Sequence, residues 1–185
     1  MDRFKNTLIH AIIAGFLLAG TGTVAWAQDK EERKTKETVA MSQQVYEKLA
    51  EVQELIENKD YATALRGIEE LKGRKGLSDY ERAQLWNITG YSYYLQENYA
   101  EAIRAYDQVL AQPGLPEALL QSTLKTKSQL MFTIEDYEGA LGVIRELMAV
   151  IPEPSADVLM IEGQALFQLA RYEEALVPIR TAIDM

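Results

Sequence analysis

The stretch AQLWNITGYSYYLQENYAEAIRAYDQVLAQPG, Ala83–Gly114, decides the fold. It holds two helical patterns, one that includes ENYAEAIRAY at 97–106 and one upstream of it, and reads as two antiparallel helices of a helix–turn–helix. Gly90 and Ala102 are small where the two helices must approach, and Trp86, Tyr93, Tyr99 and Tyr106 fill the space around them. Aromatic residues at such spacings are core packing rather than a cofactor box.

Outward from this stretch the same pattern returns. A Tyr-x-x-Ala-aliphatic core appears in KDYATALRGI at 59–68, ENYAEAIRAY at 97–106, EDYEGALGVI at 135–144 and ARYEEALVPI at 170–179. Its tyrosines are Tyr61, Tyr99, Tyr137 and Tyr172, and another helical pattern precedes each one. A single helical hairpin has no reason to recur four times, so the chain is read as a repeat array.

With Ala83 as the first position, Trp86, Gly90, Tyr93, Tyr99, Ala102 and Tyr106 fall where the tetratricopeptide repeat places its signature residues. The chain resembles that family, which implies an all-α fold, a right-handed α-solenoid of helix–turn–helix units. The departures are Val109, where the family prefers alanine, and Gly114, where it prefers proline. The units span about 45–78, 83–116, 121–154 and 156–185, so the repeat domain covers 45–185. Expected core residues are Leu55, Ala64, Ile68 and Leu71 in the first unit and Leu124, Met131, Ala140, Ile144 and Leu147 in the third. In the fourth they are Leu159, Gly163, Leu166, Ala175, Ile179 and Ala182. The segments KGRKGLSDYER and AQPGLPEA, rich in glycine and proline, read as loops between units. Pro178 removes a donor from inside the last helix and is expected to bend it. The fourth unit leaves Ile179, Ile183 and Met185 without an outer neighbour, which suggests that the natural protein continues past Met185.

The first 27 residues form a separate element. Arg3 and Lys5 precede an apolar run from Leu8 to Gly20, and Ala25 and Ala27 are small residues placed for a cut before Gln28. This is the pattern of a cleaved secretory signal peptide, and the run is shorter than a spanning helix needs. The expected location is the bacterial periplasm. Residues 28–44, mixed in charge and free of aromatics, read as a charged flexible leader.

Composition excludes several functions. The net charge is -9, so the concentrated basic surface that a nucleic-acid partner requires is not expected. Cysteine is absent, and the one histidine, His10, lies in the signal. The remainder therefore lacks imidazole bases, thiolate nucleophiles and the usual zinc ligands. Glu31/Glu32, Glu69/Glu70 and Glu173/Glu174 are neighbours in sequence that point apart on a helix, as solvated faces do. The expectation is a non-enzymatic protein without a cofactor and without stable membrane insertion after cleavage.

What remains is a surface. In the family that the chain resembles, the first helices of successive units line a concave groove. Carried onto this sequence, that groove offers Asn87, Tyr91 and Tyr94 from the second unit and Lys125, Gln129 and Phe132 from the third. Aromatic rings and amides suit an extended peptide or a helix of a partner protein. The family's carboxylate clamp is not expected, since its places hold Leu49, Gln53, Ile88, Ser122 and Thr126. The stretches ERKTKETVAMSQQVYEKL, GLSDYERAQLWNITGYSYY and QVLAQPGLPEALLQSTL are also similar to periplasmic repeat proteins that accompany TonB-type energy-transducing systems. That resemblance implies an adaptor with TonB, ExbB and ExbD components as partners. The alternatives are a scaffold for outer-membrane assembly, secretion or pilus machinery, and an accessory protein that binds glycan.

Overall fold

Four copies of one turn organise the structure, a computed structural model that describes residues 41–185. Lys59, Glu97, Glu135 and Ala170 adopt left-handed backbone with φ of 62°, 59°, 63° and 58°. Each ends a helix by sending two N–H groups back to its last turn. In the first copy the Lys59 N–H donates to Ile56 at 2.9 Å and the Asp60 N–H to Leu55 at 2.8 Å, which satisfies carbonyls otherwise left open. The next residue then starts the following helix. The side chains of Asp60, Asn98 and Asp136 accept the N–H groups of Thr63, Glu101 and Gly139 at 3.1, 3.4 and 3.0 Å. Arg171 stands at the fourth copy and forms instead two 2.7 Å bonds to Glu174.

These turns join eight helices among the described residues into four pairs. The pairs are α1 (Gln43–Glu57) with α2 (Tyr61–Lys72), and α3 (Asp79–Leu95) with α4 (Tyr99–Leu110). They continue as α5 (Glu117–Thr133) with α6 (Tyr137–Val150), and α7 (Ala156–Gln168) with α8 (Tyr172–Asp184). The four repeat tyrosines are the first residues of α2, α4, α6 and α8. Ala64, Ala102, Ala140 and Ala175, three residues further on, are all buried. The close approach expected at Gly90 is present: a Cβ built there would stand 2.9–3.1 Å from ring atoms of Tyr106. Gly163 sits in the same way against Ile179.

Three clusters of apolar side chains run along the array, each straddling a junction. Leu85 of α3 packs with Leu49, Ile68 and Leu71 of the first pair, and Leu130 of α5 packs with Ala102, Tyr106 and Val109 of the second. Val158 and Leu166 of α7 pack with Leu141, Ile144 and Leu147 of the third. Full burial of a leucine such as Leu85 contributes about 1.5–3 kcal/mol, so each junction is held chiefly by what the next first helix inserts. Polar contacts follow the same register. The Lys72 ammonium lies 3.2 Å from the centroid of the Trp86 ring, Lys127 meets Asp107 at 2.7 Å, and Arg145 meets Glu162 at 3.0 Å.

The structure differs from expectation at the segments read as loops. Ser78–Arg82 does not stay in the loop, because Ser78 and Glu81 form a reciprocal cap that starts α3 at Asp79. The buried Glu81 carboxylate reaches further. Its Oε2 accepts the Ser78 N–H at 2.8 Å, and its Oε1 accepts the N–H and hydroxyl of Ser42 at 2.9 and 2.6 Å. Burial raises its pKa, but the bonds from Ser42 and Ser78 outweigh that and hold it below the usual glutamate range. Met41 packs on the first cluster and α1 begins at Gln43, so the last residues of the expected leader are part of the fold. Similarly α5 begins at Glu117, inside the second segment read as a loop. Pro178 is buried within α8. Residues 1–27 and most of the leader lie outside the described residues.

Candidate protein-binding groove

First and second helices do not stack alike. Among the described residues α1 touches α3 and α5 touches α7, whereas no second helix makes a comparable contact with the next second helix. First helices thus meet across the first and the third junction, as they do on the inner side of a curved repeat array. All six residues expected to line the groove lie on α3 or α5.

Tyr91, Tyr94 and Tyr99 form a short ladder of rings. The Tyr91 and Tyr94 rings stack at 6.5 Å with 25° between their planes, and Tyr94 meets Tyr99 across the turn at 6.2 Å. Tyr91 also packs on the first cluster and Tyr94 on the middle one. These rings are therefore shared between the core and the surface, held in place with part of each face outward. Burial, and then the neighbouring Tyr61, Tyr94 and Glu57, push the Tyr91 phenol up, so it remains a neutral hydroxyl. Phe132 repeats the arrangement on α5, packing edge-on to Tyr137 at 5.1 Å.

The polar residues divide. The side-chain amides of Asn87 and Gln129 are partly exposed and bond to no other group among the described residues. Lys125 is engaged: its ammonium pairs with Asp157 of α7, linking the third unit to the fourth. Burial works against the Asp157 charge, but Lys125 and the Ser155 hydroxyl hold its pKa below the usual aspartate range. Sequence reading missed this pairing because Asp157 reaches Lys125 only once the units stack. It also missed Tyr99 as part of the ladder, although the five-residue spacing of Tyr94 and Tyr99 recurs in Phe132/Tyr137 and in Phe167/Tyr172, whose rings meet at 5.2 Å.

A depression of about 490 Å³ is lined by Leu65, Arg66, Glu69, Glu70 and Tyr93. Among the described residues no group of three or more His, Asp or Glu is placed to hold a metal ion. No helix there is long and apolar enough to cross a membrane.

The model of the tetratricopeptide repeat family matches residues 49–116, which span the first two units and their junction. Residues 49–116 are similar to tetratricopeptide repeats. Solved structures extend the likeness of fold across most of the array. The MamA RS-1 ArsTM double mutant is 19% identical with a TM-score of 0.64, covering 78% of this chain and 76% of its own. MamA from Desulfovibrio magneticus RS-1, taken from residue 41 to its end, gives the same identity and TM-score and covers 78% and 77%. A tetratricopeptide repeat protein from Parabacteroides merdae is 19% identical with a TM-score of 0.59, covering 74% of this chain and 51% of that one. No curated protein matches the sequence. The fold is thus a tetratricopeptide-repeat solenoid, an architecture that supports protein–protein interaction scaffolds.

Proposed function

We propose that this tetratricopeptide-repeat chain is a non-enzymatic scaffold of the bacterial periplasm that captures partner proteins in its concave groove. The observation that carries this reading is the pairing of fixed rings with open amides. Tyr91, Tyr94 and Phe132 are anchored from behind by the core, while Asn87 and Gln129 beside them have amides that bond to no other described group. Anchored rings give contact area at low entropic cost, and amides read a peptide or helix backbone. With Lys125 neutralised by Asp157, binding depends on shape and hydrogen bonds, and its affinity depends weakly on salt.

The partner we propose is a TonB–ExbB–ExbD-type envelope transport complex, with the chain as an adaptor that helps to assemble it. Support comes from the signal-like residues 1–27 and from the sequence resemblance to repeat proteins of such systems. In-cell crosslinking followed by capture tests both parts. The wild-type protein should begin at Gln28, fractionate with the soluble envelope and retain TonB, ExbB or ExbD. A folded Tyr91→Ala, Phe132→Ala double variant should lose most of that capture. Recovery of an intact Met1 in membranes would refute the location, and undiminished capture by the double variant would refute the groove.

A further inference from the structure

The second and third junctions of the array are filled, and the first is not. Leu65 on α2 stands in register with Ile103 on α4 and Leu141 on α6. Those two are 9% and 3% exposed, whereas Leu65 is only partly buried. The cover comes from the first helix of the following unit. Leu130 and Met131 of α5 pack in the cluster of Ile103, and Ala165 and Leu166 of α7 pack in that of Leu141. At the first junction the matching places on α3 hold Ser92 and Tyr93, and Tyr93 packs with the middle cluster rather than the first. The depression of about 490 Å³ lined by Leu65, Arg66, Glu69, Glu70 and Tyr93 is the space so left, within the size range of small-ligand pockets. It lies inside the array between α2 and α3, so a further repeat at either end of the chain would not cover it.

Charge is missing there as well as volume. Asp107 on α4 meets Lys127 of α5 at 2.7 Å, and Arg145, at the same place on α6, meets Glu162 of α7 at 3.0 Å. Glu69 holds that place on α2, but opposite it in register is Thr89, buried, whose hydroxyl donates to the Leu85 carbonyl at 2.7 Å. Glu69 pairs instead with Lys72 of its own helix at 2.8 Å. Glu70 beside it is exposed, and its carboxylate bonds to no other group among the described residues. Arg66, the one cation among the lining residues, donates to the Thr63 hydroxyl one turn back at 3.0 Å. Lys127 shows what fits a junction of this kind. Its side chain is 15% exposed, so the apolar stem is covered while the ammonium reaches a carboxylate.

We propose that this depression is a binding pocket for an alkyl cation, an ammonium or guanidinium carried on an apolar stem. Leu65 and Tyr93 cover the stem, and Glu70 pairs with the head. A lysine or arginine side chain of a partner protein and a free alkylamine share this chemistry. The pocket has no residue in common with the groove and does not rest on it.

The test is a titration of the isotope-labelled protein with blocked lysine (N-acetyl-lysine methylamide) and with a pentane diamine, followed by two-dimensional NMR. Both should move the amides of Leu65, Glu69, Glu70 and Tyr93 with dissociation constants of about 1 mM, the scale for so few atoms. Glu70→Gln, a change at an exposed site, should weaken both about 5-fold, the upper scale of one exposed ion pair. Arg66→Ala removes a like charge and should tighten both. Methylammonium keeps the charge without the stem and should bind about 10-fold more weakly. Tighter binding of the blocked lysine assigns the pocket to a partner's side chain, and tighter binding of the diamine assigns it to a free amine. Equal affinity for methylammonium, or affinities unchanged by Glu70→Gln, overturns the proposal, because either result describes counter-ions drawn to an acidic surface. Shifts confined to the acidic residues Glu47, Glu51 and Glu54 of α1 overturn it as well.

Discussion

Alanine in place of glycine should destabilise this protein at residue 90 and stabilise it at residue 142, although both glycines lie inside helices. Within a helix the change Gly→Ala gains about 1 kcal/mol, because alanine loses less backbone freedom on folding. At Gly142, on the exposed side of α6, an added Cβ meets nothing within 4 Å, so the full gain should appear. At Gly90 the Cβ would stand 2.9, 3.0 and 3.1 Å from three ring atoms of Tyr106. That ring is buried in the middle cluster and cannot swing aside without displacing Val109 or Leu130. Overpacking of this kind costs about 1–3 kcal/mol, which offsets the propensity gain and leaves a net loss of up to about 2 kcal/mol. For an array of this size 1 kcal/mol moves the melting temperature by about 3 °C. Thermal melts and urea titrations of Gly90→Ala, Gly142→Ala and the double variant give the three numbers, and the two effects should add because the sites share no neighbours. Equal shifts, or a rise in melting temperature for Gly90→Ala, would refute the packing register of α3 on α4.

Three further outcomes follow from single residues. Glu81→Gln removes the charge that holds Ser42 and Ser78, and should cost about 1.5–3 kcal/mol at neutral pH. Since its folded pKa lies below its unfolded one, the wild-type advantage is complete above the unfolded value and fades as pH falls through the folded value; urea midpoints measured from pH 7 to pH 3 should converge for the two proteins. Ala170→Gly relieves a left-handed residue at φ 58° and should raise stability by about 0.5–1 kcal/mol, measured as a later melt. Thr123 is buried with a hydroxyl that finds no hydrogen-bond partner among the described residues, so Thr123→Val should stabilise by about 1 kcal/mol in urea titration.

The repeat was legible because its defining features are local. Each tyrosine, the alanine three residues later and the small residue in the preceding helix lie within one unit, and their spacing alone states the hairpin. What the sequence left obscure is what joins units. Glu81 looked like a loop residue because its partner Ser42 lies a whole unit earlier, and glycine and proline nearby masked the cap that starts α3. Lys125 looked free for the same reason, since its carboxylate belongs to α7. The six residues named for the groove lie on α3 and α5. How far each ring sinks into the core, as Tyr91 does, depends on the stacking of neighbours and has no local signature.

The alternation of sign across the junctions also bears on how such an array can change over generations. Repeat genes gain and lose units by duplication and in-frame deletion, which rejoin a second helix to a new first helix. Loss of the third unit here would set Asp107 against Glu162, and duplication of it would set Arg145 against a second Lys127. Either event places like charges where an ion pair stood. The units are alike in shape yet keyed by charge to their order.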